Sequence, residues 1–294
     1  MKLEYIIKPN DTYLNVKEVI KAYFNISDRL LLKLKNTQNI LLNGLPTYIS
    51  KEVNSDDTIT VLIDFKEDSS NIVATKMDLN IVYEDDCMII INKSPNMPVH
   101  PSMLHYENSL SNGIKYYFES HNIKKKIRPV NRLDKDTSGL VIFAKNEYIQ
   151  ECLVSQMKSK KFQKEYIAIC YGIFESKKGT INLPIARKPG SIIERCIRPD
   201  GDISITHYEV LKEDTNISIV KCLLETGRTH QIRVHLSSIG HPILGDTLYG
   251  NPNSLIADRQ LLHAYKIKFI HPLTKKELII EAPIPYDMSS YINN

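Results

Sequence analysis

VNRLDKDTSGLVIFAKN, residues 130–146, joins a tight run of charges to an uninterrupted apolar stretch. Arg132, Asp134, Lys135 and Asp136 fall within five positions, and Gly139 then leads into LVIFA. A short apolar run rich in β-branched and aromatic residues predicts a buried strand. Charges set against the end of such a strand sit on a loop that the sheet holds in place, which is where a side chain with precise work belongs.

Working outward, LNIVYEDDCMIIINK, KEYIAICYGIF, ISIVKCLLETG and KIKFIHP are further β-type runs separated by turn signals. Helical spacing appears near 107–119, 146–159 and 229–239. Strands that do not alternate regularly with helices predict an α+β domain with a mixed, mostly antiparallel sheet and flanking helices. The expected division is a small N-terminal domain over 1–68, a linker over 69–79 and a main domain over 80–294. The polar, aperiodic stretch KEDSSNIVATKMD marks the junction.

In the N-terminal part, Leu14, Val16, Val19, Ile20 and Phe24 repeat at near-helical spacing, and Ser27 predicts the cap of a second helix carrying Leu30, Leu31 and Leu34. Asn43-Gly44 then predicts a tight turn between short apolar runs. This layout resembles the small S4-like RNA-binding module, with Arg29, Lys33 and Lys35 expected on the exposed side of the second helix.

The 294 residues are 42% hydrophobic and 24% charged, which fits a folded globular chain rather than a disordered one. The five cysteines include no CxxC pair, so reduced and mostly buried thiols are expected. MKLEYIIKPN lacks the apolar core of a signal peptide, and no apolar run approaches the roughly 18 residues of a membrane span, so a cytoplasmic protein is expected. Net charge is only +4, yet residues 156–200 hold ten Lys/Arg, including Arg187 and Lys188, against four Asp/Glu. With Lys124, Lys125, Lys126 and Arg128 this makes two basic segments flanking the charged motif, a surface suited to phosphates.

LETGRTHQIRVHLSSIGHPILGDTLYG, residues 224–250, is the second place where unusual residues crowd. Thr229 predicts an N-cap, Ile232, Leu236 and Ile239 a buried stripe, and Gly240 with Pro242 the stop. Arg233 then flanks the stripe near its buried edge, where it needs an acidic partner. His230 and His235 lie five apart and converge on one ion from neither a helix nor a strand, so no metal site is expected. Paired carboxylates Asp134 and Asp136 suggest glycosidase chemistry, but Lys135 between them offers no means of separating their roles. GxSxG, Walker and GxGxxG patterns are absent.

RLDKDTSGL, KEYIAICYG and GRTHQIRVHLSSIGHPILGDTLYG, in this order, closely resemble the motifs of the RluA-type pseudouridine synthases. INKSPNMPVHPS resembles that family's first motif and LLHAYKIKFIHP its closing strand. The resemblance spans roughly 80–285 and implies the pseudouridine synthase fold, with uridine isomerised within structured RNA, most simply large-subunit ribosomal RNA and alternatively tRNA. It implies Asp134 as the catalytic carboxylate, Tyr166 as the active-site tyrosine and Arg233 as its basic partner. Arg132 matches the residue that intrudes at the flipped nucleotide. Asn131 stands where many members have His. Arg228 and His230 of the third motif, with Arg132, Asn131 and the basic residues above, are the implied RNA contacts.

The chemistry is coherent. The base must leave its stack before a glycosidic carbon–nitrogen bond is broken and a carbon–carbon bond formed. A carboxylate serves by attacking the sugar or by removing the proton that opens a glycal route. A buried Arg233 would offset the cost of desolvating that carboxylate, and Tyr166 would stack on the uracil. An isomerisation needs no cofactor, and a monomer is expected. Lys135 and Asp136 are then expected to form a local ion pair at the turn. A non-catalytic RNA-binding or ribosome-assembly factor on the same fold is the competing reading, and retention of Asp134, Tyr166 and Arg233 together argues against it.

Overall fold

The computed structural model describes residues 1–63, 65, 67, 69–250 and 257–293. Asp68, the expected end of the small domain, therefore lies outside the described residues.

The N-terminal part contains β1 (Lys2–Ile6), α1 (Val16–Ala22), α2 (Asp28–Asn36), β2 (Ile40–Leu42), β3 (Leu45–Pro46) and β4 (Thr58–Leu62), with its strands ordered β1-β4-β2-β3. Ser27 caps α2 as its sequence predicts, accepting from Leu30 N at 3.2 Å. Asn43 and Gly44 both have positive φ, 51° and 82°, and close the β2–β3 hairpin as a two-residue turn. Leu14, expected in the apolar stripe, is instead 71% exposed, because α1 begins only at Val16 and Leu14 lies before its first turn.

The main part contains β5 (Ile81–Glu84), β6 (Met88–Lys93), α3 (Leu110–Ser120), β7 (Ser138–Ala144), α4 (Glu147–Lys158), β8 (Gln163–Tyr171), β9 (Lys178–Asn182), β10 (Ile185–Arg187), β11 (Arg195–Ile197), β12 (Ile205–Asp214), β13 (Ile217–Leu224), α5 (Gln231–Ser238), β14 (Leu262–Ile270), β15 (Glu277–Glu281) and α6 (Tyr286–Asn293). One nine-stranded sheet runs β5-β6-β7-β14-β8-β13-β12-β9, with β15 added on β14, and β10–β11 form a separate hairpin. Every pairing is antiparallel except β7–β14, the mixed α+β sheet that the strand pattern predicts. No helix among the described residues is long and apolar enough to cross a membrane.

β7 is buried along its whole length because both sheet faces are covered. Its alternating side chains divide between two cores. Val141 and Phe143 pack with Leu110, Ile114 and Phe118 of α3 and with Ile232 and Leu236 of α5. Leu140 and Ile142 join a second core with Tyr148, Ile149 and Leu153 of α4 that also includes Leu30, Leu34, Ile59 and Val61 of the N-terminal part. The small unit and the large one therefore share a core.

Polar bonds follow the same seam. Ser27 Oγ donates to Glu151 at 2.7 Å, and Tyr148 Oη donates to the Phe24 carbonyl at 3.1 Å. Lys33 is only partly exposed, not free in solvent as its helical phase suggested. Its ammonium lies 3.2 Å from Glu147, 3.4 Å from Glu67 and 3.8 Å from the centre of the Phe65 ring. Arg128, in turn, meets Glu67 through two hydrogen bonds of 2.6 and 2.8 Å. Arg29 and Lys35 remain exposed.

At the start of β7, Gly139 has φ 113°, and a Cβ there would lie 2.3 Å from the Ala264 carbonyl oxygen. Only glycine lets β7 approach β14 this closely, and that crossing fixes where the preceding loop emerges.

Candidate active site

The loop 132–137 leaves the edge of β7 under tight control. Residues 128–131 run beside the strand: Ala144 N donates to Arg128 O at 2.9 Å and Val130 N to Ile142 O at 2.8 Å. Asn131 continues this ladder with its side chain, giving Nδ2–H to Leu140 O at 3.0 Å and accepting from Ile142 N at 2.9 Å. Both ends of the amide are thus engaged by the strand that holds the Asp134 loop. Asn131→Ala is expected to leave two buried backbone groups unpaired, at a cost of about 1–3 kcal/mol. Urea unfolding of the two proteins measures it, and equal midpoints would mean water replaces the amide fully.

Lys93 secures the loop from the other side. This side chain is almost fully buried and donates to the carbonyls of Ser94, Met97 and Lys135 at 2.8, 2.8 and 2.9 Å. Burial pushes its pKa down to about 7, with Asp136 working in the opposite direction. The expected Lys135–Asp136 ion pair does not form among the described residues. Lys135 is exposed and contributes its carbonyl, while Asp136 Oδ1 is buried without a partner and the Asp136 carbonyl accepts from Arg259 at 3.1 Å. The turn itself is present, closed by Thr137 N to Asp134 O at 3.2 Å.

Asp134 opens into a cavity of about 550 Å³ that it lines with Arg132, Lys164, Tyr166, Arg228, His230 and Arg233. That volume suits a ligand the size of a nucleoside. Arg233 is 4% exposed and reaches Asp246 through two parallel bonds, Nε at 2.7 Å and Nη2 at 2.8 Å. Its third nitrogen donates to Asp134 Oδ2 at 3.0 Å. Burial alone would lower the pKa of this guanidinium, but the bonds and charges of Asp246 and Asp134 outweigh it and raise the pKa. The acidic partner that a buried Arg233 requires is Asp246, 13 positions along the chain within GDTLYG. The sequence signalled only the need for an acid, since the stretch 224–250 offers both Glu225 and Asp246.

Asp134 Oδ2 is therefore restrained, whereas Oδ1 has no hydrogen bond among the described residues and the side chain is 26% exposed. One oxygen of the carboxylate is held and the other is left to the cavity. Tyr166, on β8, is buried, and its hydroxyl has no hydrogen bond among the described residues. Burial first and the Asp134 charge second push its pKa up, so the phenol keeps its proton at neutral pH.

Helix α5 starts one residue later than its sequence predicts. Its N-cap is His230, not Thr229, in a left-handed conformation (φ 58°, ψ 19°) that costs a non-glycine residue about 1–3 kcal/mol. Gln231 stabilises this start by accepting from Thr226 Oγ1 at 2.8 Å and Arg228 N at 3.0 Å while donating to Ile205 O at 3.0 Å. At the other end Ile239 is 36% exposed rather than buried, since it is already the C-cap and the chain turns away at Gly240.

The remaining expected RNA contacts divide by position. Arg132 is exposed, lines the cavity and has no ion pair or hydrogen bond among the described residues. Arg228 lines it too, 3.6 Å from Asp202 and bonded to the Ile203 carbonyl at 3.2 Å. Arg187 and Lys188 sit at the β10–β11 hairpin, away from the cavity lining, and Lys188 pairs with Glu194 at 2.8 Å. Arg29 lines a second cavity of about 420 Å³ between the two units, with Lys126 and Gln150. Sequence reading did not single out Lys164, a half-buried cation of the main cavity with no partner among the described residues; burial lowers its pKa.

The histidines do not gather around a metal position. His235 is bonded to Thr206 and the Leu183 carbonyl, His241 to the Tyr171 carbonyl and His263 to Ser138. Ligand atoms of Asp85, Cys87 and His271 do lie within 4.8 Å of one another. His271 Nδ1 accepts from Leu273 N and Thr274 N, however, and Nε2 donates to Asp85, so that cluster is already a closed hydrogen-bonded unit.

The family model for RNA pseudouridylate synthase matches residues 87–238. An uncharacterized RNA pseudouridine synthase of Bacillus subtilis (strain 168), YjbO, is 38% identical over 277 residues, covering 93% of this chain and 98% of its own. Ribosomal large subunit pseudouridine synthase D of Blochmanniella floridana is 39% identical over 240 residues, 76% of this chain and 75% of that protein. Among solved structures, human RNA pseudouridylate synthase domain containing 1 superposes with a TM-score of 0.61 at 26% identity, covering 72% of this chain and 86% of that one. With a carboxylate, a tyrosine and a buried arginine around one cavity, and with relatives matching almost end to end, the chain belongs to the RNA pseudouridylate synthase family, of the RluA type that its motifs resemble.

Proposed function

We propose that this enzyme converts specific uridines of large-subunit ribosomal RNA to pseudouridine, with Asp134 as the catalytic carboxylate. The observation that carries the assignment is the asymmetry of Asp134: Oδ2 bonded to Arg233 at 3.0 Å, Oδ1 open to the cavity. Attack at the sugar and removal of a sugar proton both require one unengaged carboxylate oxygen held at a fixed position. Arg233 cannot swing away to neutralise substrate phosphate, because Asp246 holds it with two further bonds.

Tyr166 supplies an aromatic wall for the uracil, beside the point at which, once the carbon–carbon bond has formed, the proton on C5 leaves and N1 gains one. Arg132, exposed at the cavity mouth, is placed to fill the gap left by a flipped nucleotide, and Lys164 and Arg228 offer cations to its phosphates. The ribosomal substrate is favoured over tRNA by the names of several relatives, which act on the large ribosomal subunit. The enzyme is expected to work in the cytoplasm as a monomer.

Chemical mapping of pseudouridines in total RNA from cells with and without the gene tests the assignment. The expected result is loss of one or a few sites in large-subunit ribosomal RNA. Loss confined to tRNA would overturn the substrate, and an unchanged map would overturn the activity.

A further inference from the structure

We propose that His230 and Tyr249 are positioning residues that set Asp134 for the reaction and tie its setting to the β10–β11 hairpin. This rests on the assignment of Asp134 as the catalytic carboxylate.

The inference follows from the direction of each hydrogen bond. Tyr249 Oη accepts from the Arg195 amide at 2.8 Å, the first residue of β11. An amide only donates, so the phenolic proton is free for the other neighbour, His230 Nδ1, also at 2.8 Å. The arrangement that uses every donor has Nδ1 accepting that proton, which places the single ring proton of neutral His230 on Nε2. That nitrogen lies 3.8 Å from Asp134 Oδ2, beyond hydrogen-bond length but with its N–H dipole beside the oxygen that Arg233 also reaches. Burial, the largest influence, lowers the His230 pKa, with Arg233 and Arg195 acting the same way against Asp134, which keeps the ring in this neutral form.

Arg233 thus holds Oδ2 by a hydrogen bond and the His230 N–H dipole lies 3.8 Å away on the same oxygen, which leaves Oδ1 as the oxygen for substrate. The opposite tautomer would point an imidazole lone pair at the carboxylate and push it aside. Tyr249 is what selects between them.

The rest of the neighbourhood is built to hold this arrangement. The ring of His230 is aimed by its left-handed backbone, which α5 enforces through Gln231. Tyr249 is fixed by its amide to Asp246 Oδ1 at 3.1 Å and by Ser237 Oγ to its carbonyl at 2.9 Å. Its ring also lies 5.1 Å from the Arg233 guanidinium carbon. One tyrosine therefore touches both groups that flank Oδ2. Because the Arg195 amide belongs to the hairpin that carries Arg187 and Lys188, RNA seated there bears directly on the Tyr249 hydroxyl.

The test uses the full-length enzyme with an unmodified transcript of large-subunit ribosomal RNA under single-turnover conditions, together with ¹⁵N NMR of the histidine side chains without RNA. Wild-type His230, assigned by loss of its signals in His230→Gln, is expected to show the Nε2–H pattern. In Tyr249→Phe that pattern should give way to a mixture, and the saturating single-turnover rate should fall about tenfold with RNA affinity nearly unchanged. His230→Gln, whose amide nitrogen falls near Nε2, should keep most of the rate, whereas His230→Ala should fall as far as Tyr249→Phe. Adding Tyr249→Phe to His230→Gln should cost little more, since the two act through one another.

A Tyr249→Phe enzyme with full rate and an unchanged His230 pattern overturns the proposal, as does one that loses only RNA affinity. Should the wild type form no pseudouridine in this RNA, the substrate assignment fails instead. The NMR pattern still decides whether Tyr249 sets the tautomer.

Discussion

Asp134→Asn is expected to abolish pseudouridine formation, by on the order of 10⁴-fold or more, while the protein folds and binds RNA much as before. The amide is nearly isosteric and its oxygen can still accept from Arg233 Nη1, now 3.0 Å from Oδ2. The substitution does not strand a buried cation, because Arg233 keeps both bonds to Asp246, at 2.7 and 2.8 Å. What disappears is the anionic oxygen to which the proposed mechanism assigns attack on the sugar or its deprotonation. Rate loss is therefore expected without the 3–5 kcal/mol collapse in stability that follows the breaking of a buried ion pair. Conversion of the mapped uridines measured beside a thermal melt and an RNA-binding titration separates the possibilities. Full activity of the Asn variant would remove Asp134 from the chemistry. Lost activity with a collapsed melting temperature would make it a structural acid.

Much of this site is legible in the amino-acid sequence, and the reason is chemical. Asp134, Arg132 and the strand behind them lie within one short stretch, and a buried strand preceded by charges has few other uses. Arg233 could be placed on a buried helix edge by periodicity alone, and the cost of its burial called for an acid. The identity of that acid was a matter of tertiary folding: Asp246 follows the end of α5, and no local pattern brings it back. Asn131 was opaque for a related reason. Its amide replaces backbone partners along β7, which is visible only once the path of residues 128–131 is known.

The elements that sequence reading missed share weak patterns. β10 and β11 are three residues each, and β12 has a half-buried sequence with neither clean alternation nor an apolar run. Lys33 shows a further limit. Helical phase tells which residues face the helix's own core, not which neighbour covers the remaining side, and here that neighbour carries Glu147 and Glu67.

That neighbour also changes what should happen when residues 1–65 are removed. As a tethered S4-like module, the segment would be dispensable for folding, and its loss would weaken binding to long RNA more than turnover on a short stem-loop. The shared core argues otherwise. Fifteen of the twenty-eight buried residues in that core come from the N-terminal unit, so deletion uncovers the face of β6, β7 and α4 on which they pack. It also takes Lys33 from Glu147, Ser27 from Glu151 and the Phe24 carbonyl from Tyr148, leaving polar groups that are partly or fully buried without partners. At about 25 cal/mol per Å² of apolar surface, exposing several such side chains costs a large part of a normal domain stability of about 5–15 kcal/mol. The shortened chain is expected to aggregate or to melt about 10 °C or more below the full protein, and to lose activity on short and long RNA alike. Lys33→Met provides a graded check, because it removes only the ammonium that meets Glu147, Glu67 and the Phe65 ring, and should lower stability by about 1–3 kcal/mol with the chain otherwise intact. A shortened chain that melts like the parent and fails only on long RNA would restore the picture of an independent RNA-binding arm. Arg29 and Lys126 of the second cavity, which shares Val154 with the lining of the main one, would then serve RNA capture alone rather than the integrity of the sheet.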